Sequence, residues 1–191
     1  MAGINRAVQR MWESVAKLDR TDRRPCIFIS HVNVDRESAR DIGEFIRNDG
    51  NLDIYLDIDD PDLQRAVENK DPLGVTRFVE RGLARSDNLL CLVSEKTVLS
   101  WWVPYEIGFT KKAGKGIATL LFKDAVTLPA YLEIGKVLVD IYDLKSYIQQ
   151  ISAARSFQRV SKAALDESAS GSLLRKHLVP LRFKENMKIL Y

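Results

Sequence analysis

Apolar residues along this chain fall into short runs whose period changes repeatedly. Cys26–Ser30, Leu89–Val93, Ile117–Phe122 and Val137–Ile141 are nearly continuous apolar segments, the pattern of strands buried on both faces of a sheet. Leu52–Ile58 instead alternates apolar and polar residues, which predicts a half-exposed edge strand. Between these runs the period becomes helical. Ala39, Ile42, Phe45 and Ile46 mark one helix, with Asp35 as its cap and Gly50 as a left-handed stop. Val75, Phe78, Val79 and Leu83 mark a second, opening on Pro72 and ending near Arg85. A third runs from about Ser100 to Ala113, and Asp57–Asp71 reads as a polar loop. Strands separated by helices imply an α/β protein: a flavodoxin-like, doubly wound sheet of five parallel strands in the order 2-1-3-4-5.

The flanks add helices to this sheet. In residues 1–24, Ile4, Val8, Met11, Trp12, Val15 and Leu18 lie on one helical face, predicting an amphipathic helix packed on the core. Residues 25–145 form the α/β domain. Residues 146–191 form a helical extension and basic tail, with the pattern helical from Tyr142 to Leu165 and broken at residues 168–172.

Composition narrows the function classes. A chain of 191 residues, 46% apolar and 29% charged, has the make-up of one globular unit rather than a disordered or disulfide-built chain. The longest apolar runs are too short to cross a bilayer and the first residues carry no apolar signal core, so the expectation is a cytoplasmic protein without a membrane partner. Cys26 and Cys91 lie inside apolar runs as buried free thiols, and with two separated histidines they make no metal pattern. Residues 25–144 carry 14 basic and 20 acidic side chains while both ends are basic. An acidic body lacks the clustered cations of a nucleic-acid groove, so nucleic acid is not an expected partner.

In a doubly wound sheet, ligands bind beyond the carboxyl ends of strands one and three, where the connections diverge. Those ends are Ser30-His31 and Ser94, and the helix after strand three lines the same crevice. Its Trp102, Tyr105, Glu106 and Phe109 stand at i, i+3, i+4 and i+7, which puts three aromatics and one carboxylate on one face. No Lys or Arg lies three or four positions from Glu106. Glu106 is therefore a candidate active-site acid, its proton affinity raised by desolvation. The plainer alternative is a glutamate favoured by the helix dipole. His31 reads as a ligand contact or as a polar residue at a helix start. The acceptor aspartate that a phospho-receiver needs after strand three is replaced by Ser94.

These segments resemble the Toll/interleukin-1 receptor (TIR) domains over about residues 25–145. The likeness rests on the opening strand through His31 with Asp35, the loop after Leu56-Asp57, the segment Gly82–Ser94, and Trp102-Val-Pro-Tyr-Glu106. The last matches the W-x-x-x-E arrangement of NAD+-cleaving TIR domains, with Pro104 and His31 as departures from the usual pattern. The resemblance implies the TIR fold, Glu106 as the catalytic residue, and Ser30, His31, Asp57 and Trp102 as substrate-binding residues, with no metal and with NAD+ as substrate rather than cofactor. It implies a glycohydrolase or an ADP-ribosyl cyclase yielding ADP-ribose or a cyclic isomer. It further implies homo-oligomers through TIR–TIR contacts, for which the acidic Asp57–Asp71 loop is a candidate surface, and a downstream effector reached by a nucleotide messenger. The absence of an attached receptor or effector domain points to the TIR subunit of a bacterial anti-phage system such as Thoeris. Two other functions fit the same fold: a non-catalytic TIR adaptor, and a nucleoside deoxyribosyltransferase.

Overall fold

The computed structural model describes residues 2–8, 23–122, 127–153 and 188–190. Five parallel strands build the sheet: β1 (Cys26–Ser30), β2 (Asp53–Tyr55), β3 (Asn88–Val93), β4 (Gly116–Leu121) and β6 (Lys136–Leu138). They lie in the order β2-β1-β3-β4-β6, the expected flavodoxin-like arrangement. Among the described residues, five α-helices accompany them: α1 (Arg36–Asp49), α2 (Pro61–Glu68), α3 (Pro72–Arg85), α4 (Trp102–Lys112) and α5 (Ile141–Ala153). Two further strands have no signal in the apolar pattern. The short β5 (Thr127–Pro129) pairs outside the main sheet with β7 (Lys188–Leu190).

The strands are apolar throughout because both faces are covered. Ile27, Ile29, Leu90 and Leu92 point into a core shared with Ile42, Phe45 and Ile46 of α1 and with Leu144 and Ile148 of α5. Cys26, Phe28, Leu89, Cys91 and Val93 point the other way, against Val79 and Leu83 of α3 and Val103 and Ile107 of α4. Cys26 and Cys91 are buried free thiols, and burial pushes both thiols well above their ordinary range. α5 runs through residue 145 and packs on the same core as the strands. Among the described residues no helix is long and apolar enough to cross a membrane.

Several expectations change at the sheet edge. Residues 2–8 are not helical. Ile54 donates its N–H to Ile4 O at 2.9 Å and Arg6 donates to Ile54 O at 2.7 Å, so the segment lies alongside β2. Gly3 permits the approach, since a Cβ there would sit 1.7 Å from Leu52 O. This cover explains why β2 is buried rather than half exposed. The buried Arg6 donates to Asp53 Oδ2 at 2.9 Å, to Arg85 O at 3.0 Å and to Arg24 O, which satisfies a carboxylate that would otherwise be desolvated without a partner. Met11, Trp12, Val15 and Leu18 lie outside the described residues, as do the 168–172 break and the basic tail up to residue 187.

The polar Asp57–Asp71 stretch is also more ordered than a loop. It holds a 3-10 turn at Asp57–Asp59 and then α2, capped by Asp60, which accepts from Asp62 N and Leu63 N, with Pro61 in the first turn. α3 opens at Pro72 as expected, capped by Asp71. At the end of α1 the left-handed residue is Asn51 (φ 50°), while Gly50 has φ −89°. Gly50 is needed for space instead: a Cβ there would meet Ile148 at 2.4 Å. Asp35 makes no capping hydrogen bond to α1.

Candidate active site

Period two along β1 decides where Ser30 points. Cys26 and Phe28 face α3 and α4, so Ser30 at the strand's carboxyl end faces α4 as well. The buried stripe of α4 is Val103, Glu106, Ile107 and Thr110. Glu106 therefore projects inward onto the end of β1, where the Ser30 hydroxyl donates to its Oε2. Only 5% of Glu106 is exposed, and among the described residues no cation pairs with it. Burial is the main cause that lifts its carboxyl from the ordinary 4.5 to about 8; the Ser30 hydrogen bond opposes the rise and the Asp57 charge adds to it.

The helix face expected from spacing is thereby corrected. Trp102 and Tyr105 do not share the inward face with Glu106, while Phe109 is partly buried against the core that holds Val103 and Ile107. Tyr105 leans toward α3, its hydroxyl donating to Glu80 Oε1. Trp102 packs edge-on against Tyr105 at 5.8 Å between ring centroids and stays 40% exposed, one turn before Glu106. A helix whose apolar side chains nearly encircle it has a weak directional signal, so spacing alone could not choose the buried stripe. Pro104 causes no break: it is the third residue of α4, inside the first turn, where its missing N–H leaves no intrahelical bond unmade.

The loops after β1 and β2 complete the cluster. His31 is buried, 2% of its side chain exposed, with Nδ1 3.3 Å from Ile29 O and 3.6 Å from Asp57 Oδ1. A carbonyl only accepts, so Nδ1 carries a proton and Nε2 is left for another partner. Asp57 Oδ1 is buried and accepts no hydrogen bond from the described residues. Burial raises the Asp57 carboxyl above its ordinary range, and the nearby His31 and Arg36 charges oppose the rise. Ser30, His31, Asp57 and Glu106 thus converge at the carboxyl ends of β1 and β2, and Trp102 packs on Tyr105 one turn before Glu106 on the same helix. Sequence reasoning missed one tie: Ser94 Oγ donates to Asp35 Oδ2 at 2.6 Å, joining the loops after β3 and β1 across the switch point. Asp35 was legible as a polar residue before a helix, and its partner 59 positions away was not.

A cleft of about 740 Å³ opens at the opposite end of the sheet, near Pro25, Asn88 and Lys115. It contains none of these residues. Its Lys115 is committed to Leu83, Ala84 and Ser86 carbonyls at 2.6–3.0 Å, and Arg6 to Asp53. The desolvated acid and the open acceptor lie at the Glu106 end, where a doubly wound sheet binds its ligands.

The five-stranded order and the acid at its switch point define a TIR-like α/β domain. The family model of the TIR-like domain of Thoeris protein ThsB matches residues 28–125. The chain belongs to this family, which assigns it to anti-phage defence. No curated protein matches it in sequence.

Proposed function

We propose that this protein cleaves NAD+ at the N-glycosidic bond to nicotinamide, with Glu106 as the catalytic carboxylate. One observation carries the reading: Glu106 is a buried acid at the switch point, with a hydroxyl donor and, among the described residues, no cation partner. An uncompensated buried carboxyl costs stability, and such groups cluster at sites of chemistry. NAD+ supplies the missing positive charge. Its pyridinium ring favours the ionised carboxylate, so binding at neutral pH releases a proton from Glu106.

Bond breaking then needs little from the protein beyond electrostatics. The C1′–N bond breaks, its electron pair passes to the pyridinium nitrogen, and nicotinamide leaves as a neutral base without a general acid. The ribosyl carbon is left electron-poor, and a fixed carboxylate stabilises the charge that develops there. Water attack with loss of a proton yields ADP-ribose; attack by another atom of the same molecule yields a cyclic isomer. Ser30 holds Glu106, His31 and Asp57 offer polar contacts to the substrate, and Trp102 supplies a half-exposed aromatic face.

A second reading, a non-catalytic TIR module acting by assembly, is favoured by the exposed Val34, Leu99 and Trp101, the last 92% exposed. Assembly through the acidic loop is less well supported, because its charges are answered within the chain. Asp59 pairs with Arg40, and Asp60 and Asp62 with Arg81. Incubating the pure protein with NAD+ and chromatographing the products tests the enzyme. Nicotinamide release by wild type and its loss in Glu106→Gln support catalysis. No release at any protein concentration leaves the assembly reading.

A further inference from the structure

We propose that Asn5 is a positioning residue for this site: the amino-terminal segment clamps the turn after β2 and holds Asp57 against His31. The inference rests on reading Ser30, His31, Asp57 and Glu106 as the NAD+ site.

The geometry is specific to a carboxamide. Asn5 is buried. Its Oδ1 accepts from Leu56 N at 3.2 Å, on one side of Asp57, and from Ala7 N at 3.1 Å. Its Nδ2 donates to Asp59 Oδ2 at 2.8 Å, on the other side. One side chain must accept from an amide and donate to a carboxylate at once, which an aspartate or an alanine cannot do. The segment carrying Asn5 is anchored through the Ile4 and Arg6 backbone to Ile54 and through the Arg6 side chain to Asp53. From the far side, Arg40 of α1 donates to both oxygens of Asp59, at 2.8 and 3.3 Å.

The clamp has something to hold. Among the described residues Asp57 Oδ1 is a buried acceptor with no hydrogen bond, and water would satisfy it if the turn opened. Leaving such an acceptor open is unfavourable, so the turn has reason to open, and the bonds that bracket Asp57 oppose that. The result is an acceptor kept empty beside His31 for a hydroxyl or amide donor of the substrate. Ile4, Asn5 and Arg6 lie outside the 28–125 span that the family model matches, while Leu56, Asp59 and Arg40 lie within it.

The test uses the full chain in three forms: Asn5→Ala, Asn5→Asp, and Asn5→Asp combined with Asp59→Asn. The double variant restores the bracket with donor and acceptor exchanged and the total charge unchanged; it removes the charge from the Arg40–Asp59 pair but leaves the residue 59 carboxamide oxygen to accept from Arg40. Three signals are read: amide exchange at Leu56 and residues 57–60, the His31 imidazole resonance in NMR, and kcat/KM for NAD+. Both single variants should speed exchange in the turn relative to the rest of β2, shift the His31 signal, and lower kcat/KM by about tenfold to a hundredfold, the usual effect of small misplacement at a reacting centre. The double variant should recover all three. A merely structural Asn5 would change the melting temperature without moving the His31 signal, and that result overturns the clamp. If Asn5→Ala does not fold, the comparison of Asn5→Asp with the double variant decides: failure of the exchanged pair to rescue overturns the proposal. If wild type neither binds nor cleaves NAD+, the functional reading fails, while turn exchange and the His31 signal still decide whether Asn5 holds Asp57.

Discussion

Glu106→Gln keeps the shape of the side chain and removes its proton equilibrium, so its effect on stability should depend on pH in a calculable way. In the folded protein the carboxyl titrates at about 8; in the unfolded chain it returns to the ordinary 4.5. Between these values the unfolded state has released a proton that the folded state retains. The folded wild type is therefore penalised progressively as pH rises above 4.5, and the penalty levels off above 8. Each pH unit within the window corresponds to ~1.4 kcal/mol. From pH 5 to pH 8, allowing for partial titration at both ends, wild type should lose ~3–4 kcal/mol relative to Glu106→Gln. For a chain of this size that is roughly 10 °C in melting temperature. The Ser30 hydroxyl can donate to the carboxamide oxygen as it does to Oε2, while the new buried N–H₂ costs ~1–3 kcal/mol if it finds no acceptor. That cost shifts the variant's curve without changing its slope, so the slope is the diagnostic. Urea unfolding of both proteins at four or five pH values measures it. Parallel stability curves from pH 5 to 8 would mean that Glu106 is ionised or hydrated in the folded protein, and so is not a desolvated acid.

Other outcomes follow from the same geometry. If the ionised Glu106 is the working form, kcat/KM should rise with pH up to about 8 in the free enzyme. Ser30→Ala should move that rise to higher pH by removing a bond to the carboxylate, and Asp57→Asn to lower pH by removing a like charge; equal or reversed shifts would discount the cluster. Trp102→Ala should cost ~1–2 kcal/mol in a thermal melt, less than a fully buried aromatic, while weakening NAD+ binding; a loss of ~3–5 kcal/mol would make Trp102 a packing residue instead. Arg6→Ala should destabilise by ~3–5 kcal/mol, because it leaves Asp53 buried without its closest partner; an unchanged urea midpoint would contradict that role. If assembly uses the exposed Val34, Leu99 and Trp101, specific activity should fall on hundredfold dilution with little response to salt, whereas strong salt sensitivity would return the contact to charged loops.

Much of the architecture was legible because the sheet is covered on both faces. Continuous apolar runs at Cys26–Ser30 and Leu89–Val93, too short for helices and set between helical patterns, mark strands covered on both faces, and Pro72 with Asp71 before it marks a helix start by chemistry that acts within one turn. Where local pattern failed, a distant partner had intervened. Residues 2–8 look amphipathic and helical, yet Gly3, Asn5 and Arg6 find partners at Arg47, Leu56 and Asp53, and tertiary hydrogen bonds outweigh a helix propensity of a few tenths of a kcal/mol per residue. β5 pairs with a strand some sixty positions away, which no local window contains.

The candidate site divides along the same line. The sequence by itself determined that an acid without a local cation follows the third strand, that Ser30-His31 ends the first, and that both stand at the switch point of a doubly wound sheet. It could not say which face of α4 turns inward, because aromatic and aliphatic residues nearly surround that helix. Only the tertiary structure chose Val103, Glu106, Ile107 and Thr110 for burial, and so desolvated Glu106, set it on the Ser30 hydroxyl, and left the Asp57 acceptor open beside His31. The physical reason is range. Periodicity and capping act over one or two turns, whereas a shifted carboxyl and an unfilled acceptor arise from charges and burial contributed by segments that are distant in sequence and meet only when the sheet closes.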